Sequence, residues 1–137
     1  MKPATRAIAH ASVHSTAVHY RHDIATGRHA LVADEPAAAG GQDAGPAPYD
    51  YVLAGLGACT AITLRMYAEK KGWELGELQV ELALSKDREG NTYIARELSS
   101  TAALGEEQWS RLLEIAARTP VTLTLQQGAA ITTTRKP

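Results

Sequence analysis

The stretch from Pro48 to Lys71, PYDYVLAGLGACTAITLRMYAEKK, constrains this chain more than any other. It is the longest segment that reads as helix, and it holds the only cysteine, Cys59. Pro48 suits a first helical position, where the N–H it lacks would have no partner. Lys70 and Lys71 fall in the last turn, where the helix dipole favours cations, and Gly72 can take the left-handed conformation that ends a helix. Such a helix is about 36 Å long at roughly 1.5 Å per residue. That is long for a small domain. Leu53, Leu56, Thr60, Leu64 and Tyr67 follow helical spacing, while Ala54, Ala58, Ala61, Ile62 and Ala68 leave little of the remainder polar. A helix apolar nearly all round is buried on most sides, which predicts a central core helix. Gly55 and Gly57 are poor helix residues. The helix therefore either runs unbroken or breaks there and restarts just before Cys59.

The chain has 137 residues, which fits a single domain over residues 1–137 with a real core. The formal net charge of −1 argues against a nucleic-acid-binding surface, which carries a basic patch. There is no Phe, so the core is aliphatic with a few Tyr and Trp. One cysteine excludes an internal disulfide and fits a reducing compartment. No continuous apolar run follows the N-terminal charges, and Asp50 and Arg65 interrupt the longest apolar stretch. These features predict no signal peptide, no bilayer-spanning segment and a cytoplasmic protein.

Residues 6–14 read as a first strand, with a turn near Ser15-Thr16. Val18, Tyr20, His22 and Ile24 then alternate with His19, Arg21 and Asp23, the period of a strand. A turn at Ala25-Thr26-Gly27 leads to a return strand over residues 28–33. Residues 34–47 form a Gly-, Pro- and Ala-rich loop, too long for a tight connection and placed to lie over a site near Cys59. After Gly72, Leu78, Val80, Leu82 and Leu84 alternate with Gln79, Glu81, Ala83 and Ser85, the cleanest strand in the chain. Asp87-Arg88-Glu89-Gly90-Asn91 is a hairpin turn, and its partner strand covers residues 92–101 with poorer alternation. Gly105 opens a second helix whose buried stripe is Trp109, Leu112, Leu113 and Ala116, and Pro120 ends or kinks it. A short turn to Leu125 and a last strand over residues 129–134 complete the order β-β-β-α-β-β-α-β. Grouped strands and helices predict the α+β class.

Residues 40–61, GGQDAGPAPYDYVLAGLGACTA, together with Asp34-Glu35-Pro36, Leu64-Arg65-Met66-Tyr67-Ala68 and Lys71-Gly72-Trp73, closely resemble the OsmC/Ohr family. Thr119-Pro120-Val121-Thr122-Leu123 lies where that family often carries Cys-Pro-Val. The resemblance covers residues 28–134. It implies an OsmC-like fold and an intertwined homodimer, in which the long helices of two subunits pack together and strands of both chains surround them. It also implies thiol-dependent reduction of hydroperoxides, especially organic ones. A reactive cysteine on the central helix attacks the peroxide, and a second cysteine resolves the sulfenic acid as a disulfide.

The chain departs from that pattern twice. Thr119 stands at the resolving position, and a hydroxyl cannot form a disulfide. An oxidised Cys59 would then need an external thiol reductant. Tyr49 stands where peroxidase members place a glutamate that helps hold an arginine over the cysteine, and Asp50 is adjacent. Asp50 is shorter than glutamate and displaced by about 100° around the helix.

Peroxide attack needs a thiolate, whereas a free cysteine with pKa ~8.5 is mostly protonated at neutral pH. In an unbroken helix Cys59 lies three turns in, beyond the reach of the terminal dipole. In a helix restarting after Gly57 it would lie near an N-terminus. A cationic partner is required, and Arg28, at the start of the strand leading to the loop, is the first candidate. Arg21 is the second, while Arg65 lies six residues along the helix from Cys59 and points elsewhere. Cys59, Arg28 and Asp50 form the expected catalytic set, with Tyr49, Leu56 and Thr119 as substrate-binding candidates. Asp50 also suits a first helical turn for its charge alone, and Thr119 suits local hydrogen bonding near Pro120. His10 and His14 would share a strand face about 13 Å apart, and His19 and His22 would face opposite sides. Neither pair can hold one ion, so no metal and no cofactor are expected. Two functions fit these residues. One is a thiol-dependent hydroperoxide reductase or peroxide sensor acting through Cys59 with an external thiol. The other is a homodimer that binds a small apolar ligand and has lost turnover. Neither involves nucleic acid or a membrane.

Overall fold

Helix α1 runs unbroken from Pro48 to Lys71 through Gly55 and Gly57. The computed structural model describes residues 4–137. Asp50 fastens the start of α1, because its Oδ2 accepts the Ala47 amide at 3.0 Å, one arm of a capping box. At the other end Gly72 is left-handed (φ 71°). Its amide bonds Glu69 O at 3.1 Å and the Trp73 amide bonds Ala68 O at 2.8 Å. This is the Schellman closure that Gly72 predicts.

Within the chain two compact units are distinguished, Met1–Tyr51 and Val52–Pro137. The first holds an antiparallel sheet of β1 (Ser12–Ser15), β2 (His22–Thr26) and β3 (His29–Ala33), in the order β1-β2-β3. The first strand starts later than residues 6–14 predict, because its ladder is limited to the four residues facing Ala25–His22. The loop at 34–47 is built rather than open. Asp34 is buried. Its carboxylate accepts the amides of Glu35, Gln42 and Ala44 at 2.8, 3.2 and 3.1 Å. Gly41 and Gly45 allow this closure, since a Cβ on either would sit 2.0 Å from Glu35 O or 2.3 Å from Val32 O. The Ala44 amide is the strongest of the influences that hold the Asp34 carboxyl below its usual range.

The second unit holds the hairpin of β4 (Leu78–Lys86) and β5 (Thr92–Ser100), then α2 (Glu106–Ala116) and α3 (Pro120–Gln127). Leu64 and Ala68 of α1 pack with Leu75, Leu112 and Ala116, and Tyr67, Trp73, Leu78, Leu98, Leu104, Trp109 and Ile115 surround them. Full burial of a leucine contributes about 1.5–3 kcal/mol, so the three leucines of this cluster anchor the unit. Asp87 closes the hairpin by accepting the Glu89 and Asn91 amides at 3.0 and 2.9 Å.

Five expectations are corrected. Pro120 starts an eight-residue helix rather than a turn, because its ring presets φ at a first helical position. Residues 129–134 form no strand within this chain, where nothing supplies the ladder partner that their backbone groups require. Leu113 is 54% exposed, and Ile115 lies against the core instead. Helix α1 is buried along one face only (Leu56, Gly57, Thr60, Leu64, Ala68), while Ile62 and Met66 are 55% and 64% exposed. Finally, α1 is long and apolar enough to cross a membrane by length and composition, despite Asp50 and Arg65. A core helix meets the same criterion, and one face of α1 packs Leu64 and Ala68 against Leu112 and Ala116 of α2.

Candidate functional site

The continuity of α1 decides the surroundings of Cys59. The thiol is half-buried in the middle of the helix. Its own turn offers no free amides, and the helix dipole acts only in the terminal turns. Any charge that supports a thiolate must come from a side chain.

One half-buried cation lies against this part of α1: Arg96, on β5. Cross-strand register pairs Arg96 with Leu82. Ile94, Arg96 and Leu98 alternate inward along β5, so a guanidinium occupies a position that the strand otherwise reserves for apolar groups. Its Nη1 donates to Thr60 Oγ1 and to Thr122 Oγ1, both at 2.9 Å. Its Nη2 donates to Ala116 O at 2.8 Å. Thr60 Oγ1 donates to Leu56 O at 2.7 Å, which leaves its lone pairs to Arg96. Thr119 Oγ1 and Thr122 Oγ1 share a hydrogen bond of 2.6 Å. Four elements therefore meet at one cation: α1 through Thr60, β5 itself, the end of α2 through Ala116, and α3 through Thr122. No carboxylate is paired with Arg96 among the described ion pairs, which join Arg21 to Asp23 and Arg111 to Glu114. Burial lowers the pKa of the guanidinium, and the neighbouring Cys59 sulfur raises it. Arginine remains protonated in either case.

The residues singled out from sequence separate into two groups. Cys59, Leu56 and Thr119 belong to the second unit. Leu56 is buried, and its carbonyl takes the Thr60 hydroxyl. Thr119 is buried at the start of α3 and joins the Arg96 cluster through Thr122. Arg28, Tyr49 and Asp50 belong to the first unit. Arg28 is exposed in the two-residue turn between β2 and β3. Tyr49 is exposed in the first turn of α1, and Asp50 caps that turn. Arg21 pairs with Asp23 at 4.0 Å, and Arg65 reaches the Gly76 carbonyl.

Sequence reading missed Arg96, Thr60 and Thr122. One clue was present. The inward set of β4 (Leu78, Val80, Leu82, Leu84) fixes which residues of its hairpin partner face inward, and Arg96 is the charged one among them.

On another face of α1 from Cys59, the small residues Ala54, Gly57, Ala58 and Ala61 face Val80, Glu81 and Leu82 across a cleft of about 450 Å3. A Cβ on Gly57 would lie 2.8 Å from Leu82 Cδ1, so this glycine sets how closely helix and strand approach.

No curated protein matches the sequence. Solved structures match its fold. A Psychrobacter arcticus protein, named for an osmotic-stress-induced and detoxification response, superposes with a TM-score of 0.76 at 12% identity, over 88% of this chain and 90% of that one. An organic hydroperoxide resistance protein OsmC from Legionella pneumophila gives 0.67 at 19% identity, over 90% and 92%. The organic hydroperoxide resistance protein OhrB of Bacillus subtilis gives 0.58 at 25% identity, over 85% and 89%. The profile of the OsmC-like protein family matches residues 40–134. The helix that carries Cys59, the hairpin that carries Arg96 and the α3 start at Thr119 all lie inside that match, and the chain belongs to the OsmC-like family.

Proposed function

We propose that this protein reduces hydroperoxides through Cys59 and is recycled by an external thiol. The observation that carries the reading is the position of Cys59, the sole thiol, half-buried in the middle of the long helix and inside the residues that match the OsmC-like family. Fold relatives named for organic hydroperoxide resistance support it. The Cys59 thiolate attacks the distal peroxide oxygen, an S–O bond forms and the O–O bond breaks. The alkoxide leaves, takes a proton and departs as the alcohol. Sulfur is oxidised to sulfenic acid by two electrons, and the peroxide is reduced by two. An external thiol then attacks the sulfenic sulfur, releasing water and forming a mixed disulfide. A second thiol frees Cys59 and carries away the disulfide. Thr119 leaves no internal alternative, because Cys59 is the only cysteine.

A homodimer belongs to this proposal. The outward face of α1 leaves Ile62 and Met66 largely exposed, and a second copy of the chain is the expected cover. The ligand-binding reading without turnover draws on the cleft between α1 and β4 and on Thr119 at the resolving position. Intact-mass measurement of Cys59 oxidation by cumene hydroperoxide and by hydrogen peroxide, with dimedone to trap sulfenic acid, decides between the two. Oxidation far faster than that of a free thiol, preferring the organic peroxide and lost in Cys59→Ser, is the expected result. A rate no better than that of a free thiol would leave only the ligand-binding reading.

A further inference from the structure

We infer that the first unit carries a binding site for a small organic cation, an ammonium group on an apolar body, in the cavity between the β1–β3 sheet and the loop at 34–47. No step of the thiol chemistry proposed for Cys59 uses it.

The cavity holds about 540 Å3, within the range of small-molecule sites. All of its lining residues belong to the first unit. Strand pairing builds the floor. His22 of β2 is the cross-strand partner of Ala33 on β3 and of Ser15 on β1. Val13 lies two residues before Ser15, so it shares their side of the sheet. Ala39 and Pro48 complete the apolar part of the lining.

The polar groups on the wall are set to receive a donor. His22 Nδ1 donates to Tyr20 O at 2.8 Å, which in the neutral ring leaves Nε2 as an acceptor. The backbone of Glu35 is pinned on both sides. Its amide donates to Asp34 Oδ1 at 2.8 Å, and its carbonyl accepts the Asp43 amide at 3.0 Å. The half-buried Glu35 carboxylate makes no hydrogen bond or ion pair among the described residues. The Tyr20 ring lies against Gly40, where a Cβ would sit 3.2 Å from Tyr20 Cε2. His19, just before it, has a φ of 27°, a costly conformation that persists only where the surroundings impose it.

Charge selects the ligand. No lysine or arginine is among the lining residues, while Asp34 and Glu35 both are. Arg21, whose charge reaches Asp34, is paired with Asp23 at 4.0 Å. An ammonium group has three N–H donors and no acceptor. It suits a carboxylate, an imidazole nitrogen and an aromatic ring together. An anion would meet two carboxylates there.

The test is an NMR titration of the full-length, isotope-labelled protein with phenethylamine. Phenethyl alcohol and hydrocinnamate serve as its neutral and anionic counterparts. Shifts within residues 13–48 should saturate with the amine. Both counterparts should bind at least about tenfold more weakly, the scale of one charge-assisted hydrogen bond. Glu35→Gln keeps the shape and removes the charge. It should weaken amine binding by a similar factor and leave that of phenethyl alcohol unchanged. Tyr20→Leu should cost about two- to fivefold, the scale of one cation–π contact, and Tyr20→Phe should recover that loss. Absence of saturable shifts within residues 13–48, equal binding of the three probes, or unchanged amine binding in Glu35→Gln would each overturn the site.

Discussion

Two truncations on one helix, Leu64→Ala and Ile62→Ala, test the packing of α1. Leu64 is fully buried between Ala68, Leu75, Leu112 and Ala116. Its neighbours come from α1, the segment after it, and α2, and none can slide into the vacated space without dragging an element along. The loss should lie in the upper part of the range for buried leucines, about 4 kcal/mol. That is a large share of the stability of an ordinary domain, about 5–15 kcal/mol. Ile62 is 55% exposed. In an isolated chain its truncation removes only part of a side chain's burial and gains helix propensity, a net cost of about 0.5–1 kcal/mol. In the proposed homodimer the same side chain is covered. The cost should then exceed that figure at high protein concentration and shrink toward it as the protein is diluted, because subunit association contributes to stability. Urea unfolding followed by circular dichroism at low and high protein concentration gives both numbers. A Leu64→Ala loss below about 1.5 kcal/mol would refute the assigned core. A small Ile62→Ala loss independent of concentration would refute the covered face.

Other tests address the first unit. Asp34 has a folded-state pKa below its unfolded value, so its contribution is present above about pH 4 and is lost as pH falls through the lower, folded value. Asp34→Asn should therefore lower the melting temperature at neutral pH, since an amide cannot accept all three backbone N–H groups. The gap to wild type should close on acidification, and parallel curves of melting temperature against pH would count against the carboxylate as the loop's clasp. Tyr51→Phe removes a hydroxyl that donates to Val32 O at 2.6 Å. It should cost about 1 kcal/mol in thermal denaturation, and an unchanged midpoint would mean that water replaces this bond without loss.

Local chemistry made much of the fold legible. Pro48 and Gly72 mark the two ends of α1, and a single proline and glycine act there through φ and missing or redirected N–H groups alone. The β4–β5 hairpin follows from clean alternation and an Asp-to-Asn turn, and Gly105 places the start of α2. The family followed from the motif around Cys59, whose residues are contiguous. What failed were features that depend on distant partners. Residues 129–134 are rich in Thr like a strand, yet a strand exists only where another edge accepts its hydrogen bonds. Leu113 and Ile115 both fit an amphipathic stripe, and which one is buried depends on the angle at which α2 meets the core.

The candidate site shows the same division. Sequence alone determined that Cys59 is the sole thiol, that Thr119 cannot resolve it, and that a cation is required if it is to react as a thiolate. Tertiary structure decided where Arg96 lies and what it bonds. Arg96 is 37 positions from Cys59 and looks in the sequence like any arginine of a strand. Register with β4 turns it inward, and the ends of α2 and α3 bring Ala116 O and Thr122 to it. Charge and hydroxyls become neighbours only when a helix, a strand and two helix ends are packed together, and no local spacing encodes that meeting.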